Sequence, residues 1–191
     1  MIHSLLSRWI DATLAIAYPE RCQLCEVHPA TSPQGFVCRA CQKKLRPTKP
    51  PWCLHCGLPI ESNRKPDSSC LNCREANWQF HQARSVFTAQ GLIREAIHRY
   101  KYDQDEYFEA FLRQCCRKSW ALTPANYDAL IPIPLHPTKE RERGFNQATR
   151  FAAFFSEIST IPIKANLLKR IRFTETQTDL PRSQRLRNVK G

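Results

Sequence analysis

Apolar residues recur with the spacing of an α-helix in four stretches of this 191-residue chain. The predicted helices cover residues 3–17, 91–102, about 105–120 and about 144–158. A nearly continuous apolar run at residues 127–133 is typical of a buried parallel strand. Shorter strands are predicted at residues 84–89, 161–163 and 167–172. The succession of strand, helix and strand after residue 78 predicts an α/β architecture for this part of the chain.

Between the first two predicted helices the apolar pattern gives way to four Cys-x-x-Cys pairs. The eight cysteines are Cys22, Cys25, Cys38, Cys41, Cys53, Cys56, Cys70 and Cys73. A Cys-x-x-Cys turn directs two sulfurs at one ion, and two such turns complete the tetrahedral set of four sulfurs that zinc prefers. Disulfides and an iron–sulfur cluster are the alternatives. The regular twin pairs favour two structural zinc ions.

The proline-rich segment 46–52 separates the four pairs into two halves. This separation favours a sequential arrangement, with Cys22, Cys25, Cys38 and Cys41 around one ion and the other four cysteines around the second. A cross-braced arrangement, in which alternate pairs share an ion, is left open by the spacing. In either case the sites are closed, so the metal is expected to support folding rather than catalysis.

Targeting signals and charge indicate in which compartment the protein is found and what it binds. Residues 1–18 lack the pattern of a signal peptide, and no run of 18 apolar residues occurs. We therefore expect a cytoplasmic protein with reduced thiols and no membrane span. The net charge is +12, and residues 164–191 carry eight Lys/Arg against two Asp/Glu. Such a basic segment attracts nucleic acid or phosphorylated metabolites.

Several motifs, in this order along the chain, resemble the competence protein F (ComF) family. Besides the cysteine-rich segment they are YKY at 100–102, YDALIPIPLHP at 127–137, RERGFNQ at 141–147, LKR at 168–170, QT at 177–178 and RLRNV at 185–189. Each motif is weak by itself, but together they span nearly the whole chain. The resemblance implies an N-terminal double zinc ribbon followed by a type I phosphoribosyltransferase-like, parallel α/β domain.

This resemblance divides the chain into an amphipathic helix at 1–20, a double zinc ribbon at 21–78 and the transferase-like domain at 79–191. It implies that phosphoribosyl pyrophosphate binds with magnesium at the carboxyl ends of the strands. Lys139, Arg141 and Arg143 match the pyrophosphate-binding position, beside free amides of a helix that begins near Gly144. Residues 174–187 match the loop that closes over the substrate, and its polar side chains include Arg182, Arg185 and Arg187.

One sequence element that is typical of the ComF family is missing from this sequence. No Asp-Asp pair and no Thr-Thr-Gly turn occurs, although these hold the ribose and its phosphate in such domains. We therefore expect an incomplete domain, arising either from a fragment or from a natural truncation. Little phosphoribosyl transfer, loose packing of residues 173–191 and an unpaired sheet edge are expected to follow.

The resemblance implies a role in DNA uptake or utilisation, with single-stranded DNA and proteins of the uptake machinery as partners. The basic C-terminal segment agrees with a sequence-independent contact to phosphates. Trp52 and Trp78 are expected either to stack on bases or to cover the zinc module. The alternative function is a zinc-ribbon adaptor that binds other proteins and has no catalytic activity.

Overall fold

The computed structural model describes residues 21–30, 35–60, 70–74, 78–120, 127–174, 176–177 and 180–189. The chain forms two compact units, Met1–Leu122 and Thr123–Gly191. The amphipathic helix predicted at 3–17 lies outside the described residues. The domain boundaries expected after residues 20 and 78 stay predictions.

The described part of the chain is mainly helical. In the first unit the helices are α1 (Arg39–Lys43), α2 (Leu71–Arg74), α3 (Gly91–Tyr102) and α4 (Phe108–Trp120). In the second unit they are α5 (Pro137–Arg143), α6 (Gln147–Ser159), a 3-10 turn (Ala165–Leu167) and α7 (Arg182–Val189). The helices predicted at 91–102 and 105–120 are therefore present as α3 and α4. None of the helices among the described residues has the length and apolarity needed to cross a membrane.

Helices α3 and α4 pack against each other and form the core of the first unit. Their buried side chains are Ile93, Ala96 and Tyr100 on α3 and Phe108, Phe111, Leu112 and Cys115 on α4. These positions recur every three or four residues, so each helix turns one apolar face inward. The Tyr100 hydroxyl donates a hydrogen bond to Glu109 Oε2 at 2.8 Å, which satisfies the polar end of a buried ring.

Arg99 ties this helix pair to the first cysteine-rich segment. Its Nη1 donates to the backbone carbonyl of Gln23 at 2.5 Å. Its Nε donates to Asp105 Oδ2 at 2.7 Å, and its Nη2 to the hydroxyl of Tyr107 at 2.5 Å. The guanidinium also lies 5.0 Å from the centroid of the Phe108 ring. The Arg99 side chain thus contacts four groups at once, which requires the planar guanidinium with its several N–H donors.

Replacing Arg99 by lysine is expected to destabilise the first unit. A single ammonium keeps the charge but cannot reach Gln23, Asp105 and Tyr107 together. Losing a hydrogen bond to a charged group costs about 1.5–3 kcal/mol in the free energy of unfolding. The exposed Arg94 on the same helix is the matched control, and Arg94→Lys should change stability little. Urea unfolding of both variants measures the difference. Equal stability of the two would show that the fork is dispensable.

In the second unit the run expected to form a buried strand is largely exposed. Leu130 forms an isolated parallel bridge with Ile163, in which Leu130 N donates to Pro162 O and Lys164 N to Leu130 O, both at 2.9 Å. Ile131 and Ile133 are 44% and 65% exposed, so the expected burial of this run was wrong at these positions.

Two prolines explain why this pairing stops after one bridge. In a parallel ladder alternate residues bond to the same neighbour, so residues 132 and 134 would follow Leu130 in pairing toward Ile163. Both are prolines and have no N–H to donate. A parallel strand is buried only when neighbouring strands and helices cover it on both sides. With a single bridge, Ile131 and Ile133 stay at the surface.

β-Pairing in the described ranges consists of four isolated bridges. One of them joins Pro47 in the proline-rich linker to Phe87, and Thr48 N donates to Val86 O at 3.0 Å beside it. The linker therefore pairs antiparallel with the segment that was predicted to be a strand at 84–89. The parallel α/β sheet expected for the second half is not found among the described residues.

Candidate metal centres and phosphate-binding residues

The first four cysteines form one compact cluster. The Sγ atoms of Cys22, Cys25, Cys38 and Cys41 all lie within 4.8 Å of one another. The Cys22–Cys41 and Cys25–Cys38 sulfur pairs are each 3.8 Å apart, far beyond the ~2.05 Å of a disulfide. A zinc ion with bonds of about 2.3 Å to four tetrahedral sulfurs requires sulfurs about 3.8 Å apart. The donor set therefore fits zinc.

Backbone turns set the positions of these thiols. Glu26 N donates to Cys22 O at 2.7 Å and closes the turn between the first two ligands. Cys38 is the N-cap of α1, and its sulfur accepts from the amide of Cys41 at 3.4 Å. The amide of Cys38 in turn donates to Cys22 Sγ at 3.3 Å. Amides aimed at sulfur stabilise the thiolate form that binds metal.

The last four cysteines form a second cluster of the same kind. The sulfurs of Cys53, Cys56, Cys70 and Cys73 also lie within 4.8 Å of one another. The Cys53–Cys73 and Cys56–Cys70 sulfur pairs are 3.8 and 3.5 Å apart. Gly57 N donates to Cys53 O at 2.9 Å, and Gly57 has a φ of +70°, which glycine adopts readily. The structure thus contains the sequential arrangement of the Cys-x-x-Cys pairs and not the cross-braced one.

Electrostatics within each cluster also favour a bound cation. Backbone amides of His28 and Val27 lower the pKa of Cys25 to about 6, and the amide of Cys56 leads those that lower the pKa of Cys53 to about 6. Loss of hydration raises the pKa values of Cys38, Cys41, Cys70 and, to about 12, Cys73. Two thiols of each cluster therefore resist ionisation unless a positive ion offsets the charge of their thiolates. A divalent zinc ion supplies that charge and would be held by all four sulfurs.

The segment expected to bind pyrophosphate is partly helical. Lys139, Arg141 and Arg143 lie on α5 (Pro137–Arg143), which begins after His136 and ends at Gly144 with φ +82°. Lys139 Nζ donates to Thr176 Oγ1 at 2.9 Å and lies 5.4 Å from the centroid of the Phe173 ring. Lys139 is thus held against the segment that the resemblance assigns to the closing loop.

The other two cations of α5 differ in their surroundings. Arg143 is half-buried, and its Nη1 donates to Gln147 Oε1 at 2.7 Å. Arg141 is exposed. Helix α6 begins at Gln147 instead of Gly144, and Asn146 caps it by accepting from Ala148 N at 2.9 Å. One of the amides expected to be free for an anion therefore already has a partner, because the sequence supplies its own N-cap.

Residues 182–189 form helix α7 instead of the irregular loop that was expected. Arg185 Nε donates to Leu180 O at 2.9 Å, and Gln177 Nε2 donates to Arg185 O at 3.4 Å. The side chains of Arg185 and Arg187 are exposed, and the side chain of Arg182 lies outside the described residues. The helix and these bonds order a segment for which loose packing was expected, although much of its described surface is exposed.

Comparison with known proteins agrees with the geometry of the cysteines. Residues 13–74 match the family model of the double zinc ribbon domain. The chain is 27% identical to competence protein F of Haemophilus influenzae over 181 residues, which are 90% of this chain and 74% of that protein. These matches support a ComF-family protein.

Competence protein ComFC of Bacillus subtilis is 30% identical over 141 residues, which are 69% of this chain and 56% of that protein. The DNA utilization protein YhgH of Escherichia coli K12 is 25% identical over 183 residues, or 92% and 78% of the two chains. No solved structure gives a significant match to this ComF-family chain.

Proposed function

We propose that this ComF-family protein takes part in the uptake or utilisation of DNA and binds single-stranded DNA in the cytoplasm. The names of its relatives, competence protein F and DNA utilization protein YhgH, support the process. Two four-thiol zinc sites support a compartment in which cysteines stay reduced. Partner proteins of the uptake machinery belong to the same proposal.

The observation that carries the proposal is the exposed basic surface of the second unit. Residues 164–191 carry eight Lys/Arg and two Asp/Glu. Lys164, Lys169, Arg172, Arg185 and Arg187 are all exposed. Arg170, which is half-buried, donates to Thr174 Oγ1 and orders the chain between them. Lysine and arginine at a surface neutralise phosphates and release counterions, which gives affinity without sequence preference.

A phosphoribosyl pyrophosphate site is the second candidate, and the contact of Lys139 with Thr176 favours it. This hydrogen bond brings together the two segments that the family resemblance assigns to pyrophosphate binding. Lys139, Arg141 and Arg143 would bind the pyrophosphate with magnesium, and Arg182, Arg185 and Arg187 would approach from the other segment.

Salt dependence provides the test of DNA binding. Titration of the zinc-loaded protein with a labelled oligothymidylate between about 50 and 200 mM salt should show affinity that falls steeply with salt. The double variant Lys164→Gln, Lys169→Gln should bind less tightly. It should also lower the salt slope by roughly 0.7 for each lost phosphate contact.

Lys43 and Lys44 in the first unit are the matched controls, because both are exposed and their replacement removes the same charge. The variant Lys43→Gln, Lys44→Gln should retain the affinity and the slope of the wild type. Equal losses in both double variants would mean that net charge, and not the surface at 164–187, attracts DNA. Calorimetry with phosphoribosyl pyrophosphate and magnesium tests the second candidate separately. An absence of both kinds of binding would favour the adaptor function.

A further inference from the structure

Three aromatic rings form a row on the surface of the second metal centre. The ring centroids of His55 and Phe80 are 4.8 Å apart, with planes inclined by 20°. Those of Phe80 and Trp78 are 5.6 Å apart, with planes inclined by 30°. We call His55, Phe80 and Trp78 the aromatic row. Each ring is thus stacked on its neighbour in the row.

Backbone contacts hold the row against the zinc-binding turn. His55 lies in the turn between the ligands Cys53 and Cys56, and its carbonyl accepts from Ala83 N at 2.7 Å. The two backbones approach so closely that a Cβ on Gly57 would lie 2.5 Å from the carbonyl oxygen of Ala83. The segment that carries Trp78 and Phe80 is therefore fixed to the metal centre by main-chain contacts rather than by its rings alone.

The rings remain open to solvent despite this anchoring. Trp78 is 39% exposed and Phe80 is 38% exposed. Rings that only covered the metal site would gain most by being buried, since burial of apolar area is what stabilises such a cover. A stacked and partly exposed row held by a rigid turn is instead the arrangement by which proteins bind unpaired bases.

Charge near the row is compatible with a polynucleotide. The described residues of this module, 51–60, 70–74 and 78–90, include Arg74 and Arg84 and no Asp or Glu. Arg84 is exposed, and its Nη1 donates to Leu54 O at 2.9 Å, which places the guanidinium one residue from His55. A cation beside the rings suits the phosphate that follows a stacked base.

We propose that the aromatic row, with Arg84 beside it, is a base-stacking site for single-stranded nucleic acid. The inference rests on the proposed function and adds a site in the first unit, which binds bases, to the basic surface of the second unit, which binds phosphates. A double-stranded nucleic acid does not suit the row, because its bases are stacked on each other and offer no free face. Sequence preference is not expected, since every base has an aromatic face.

The test compares ring variants on two ligands. Trp78→Ala and Phe80→Ala should each raise the Kd for a labelled oligothymidylate by roughly tenfold or more. Neither should alter the salt slope, because no charge is removed. Trp78→Phe should retain most of the affinity. Leu71→Ala is the control, because Leu71 lies on α2 of the same module and is 57% exposed but has no ring to stack.

An oligonucleotide with the same phosphates but abasic sites separates stacking from other effects. The wild type should bind it more weakly than the oligothymidylate, and Trp78→Ala should bind the two more nearly alike. Zinc content of each variant, measured on the same samples, shows that the module is intact. If the wild type binds oligothymidylate and the ring variants bind it equally well, the aromatic row is not the stacking site, and it would then be a cover or a protein-binding face. If the wild type binds no oligonucleotide, the proposed function fails as well.

Discussion

Replacing Cys22 by serine is expected to lower the zinc content from two ions per chain to one and to unfold the first ribbon. The four sulfurs of this site lie within 4.8 Å of one another, and a serine hydroxyl is a poor substitute for a thiolate ligand. Structural zinc contributes about 10–16 kcal/mol of binding free energy, which these small modules use for folding. This is the largest effect expected of any single substitution in the chain.

The loss should extend beyond the ribbon into the helices of the first unit. Arg99 on α3 is bonded to the carbonyl of Gln23, which lies between the ligands Cys22 and Cys25. Protection of α3 amides from hydrogen exchange should therefore fall together with the zinc content. Cys53→Ser should likewise remove one ion, but it should affect the aromatic row and not the contact of Arg99.

Cys116→Ser is the matched control for both ligand variants. Cys116 is a half-buried thiol on α4 that belongs to neither cluster, so its replacement should leave two zinc ions in place. Elemental analysis of the purified proteins gives the numbers directly. Two zinc ions in Cys22→Ser, or none in the wild type, would contradict the assignment of the clusters.

Gly35→Ala is expected to be the most destabilising substitution outside the metal ligands. A Cβ at this position would lie 2.5 Å from Phe111 N, 2.7 Å from Phe111 Cβ and 2.9 Å from Tyr107 O. Here the backbone of the first ribbon rests directly on the start of α4. The φ of +63° adds about 1–2 kcal/mol for any residue with a side chain, and overpacking adds a further ~1–3 kcal/mol.

Gly91→Ala separates these two costs. Gly91 has a similar φ of +53°, but a Cβ there would meet nothing within 4 Å. Its alanine variant should carry only the backbone cost, so Gly35→Ala should be the less stable of the two by the overpacking cost. Urea unfolding followed by far-UV circular dichroism measures both. Equal stabilities would mean that the ribbon does not rest on α4 as described.

The cysteine pattern and the apolar periods predicted the features that depend on local sequence. Pairs of cysteines separated by two residues form turns by themselves, so the spacing predicted the two clusters, and the intervening prolines favoured their sequential grouping. Helices α3 and α4 followed from apolar residues such as Phe108, Phe111 and Leu112, which recur at helical spacing and are buried.

Features that depend on distant partners were predicted poorly. An apolar run at 127–133 resembles a buried strand, but burial needs neighbours on both sides, and Pro132 and Pro134 prevent the ladder from extending. The helix start near Gly144 was expected to offer free amides to an anion, whereas Asn146 caps that helix with its own side chain. The aromatic row was missed because His55 lies far from Trp78 and Phe80 along the chain. One signal was available: Trp78 and Phe80 are aromatic residues two positions apart, a spacing that puts side chains on the same side wherever a chain is extended.

Native mass spectrometry of the protein mixed with an oligothymidylate tests the central claim, that a chain with two zinc ribbons binds single-stranded DNA, in one measurement. The account predicts a dominant species with the mass of the chain, two zinc ions and one oligonucleotide. It predicts a smaller bound fraction when a chelator removes the metal, because the aromatic row is lost while the basic surface of the second unit remains. A spectrum in which the chain with two zinc ions stays free of oligonucleotide, or binds it equally well without metal, would contradict the account.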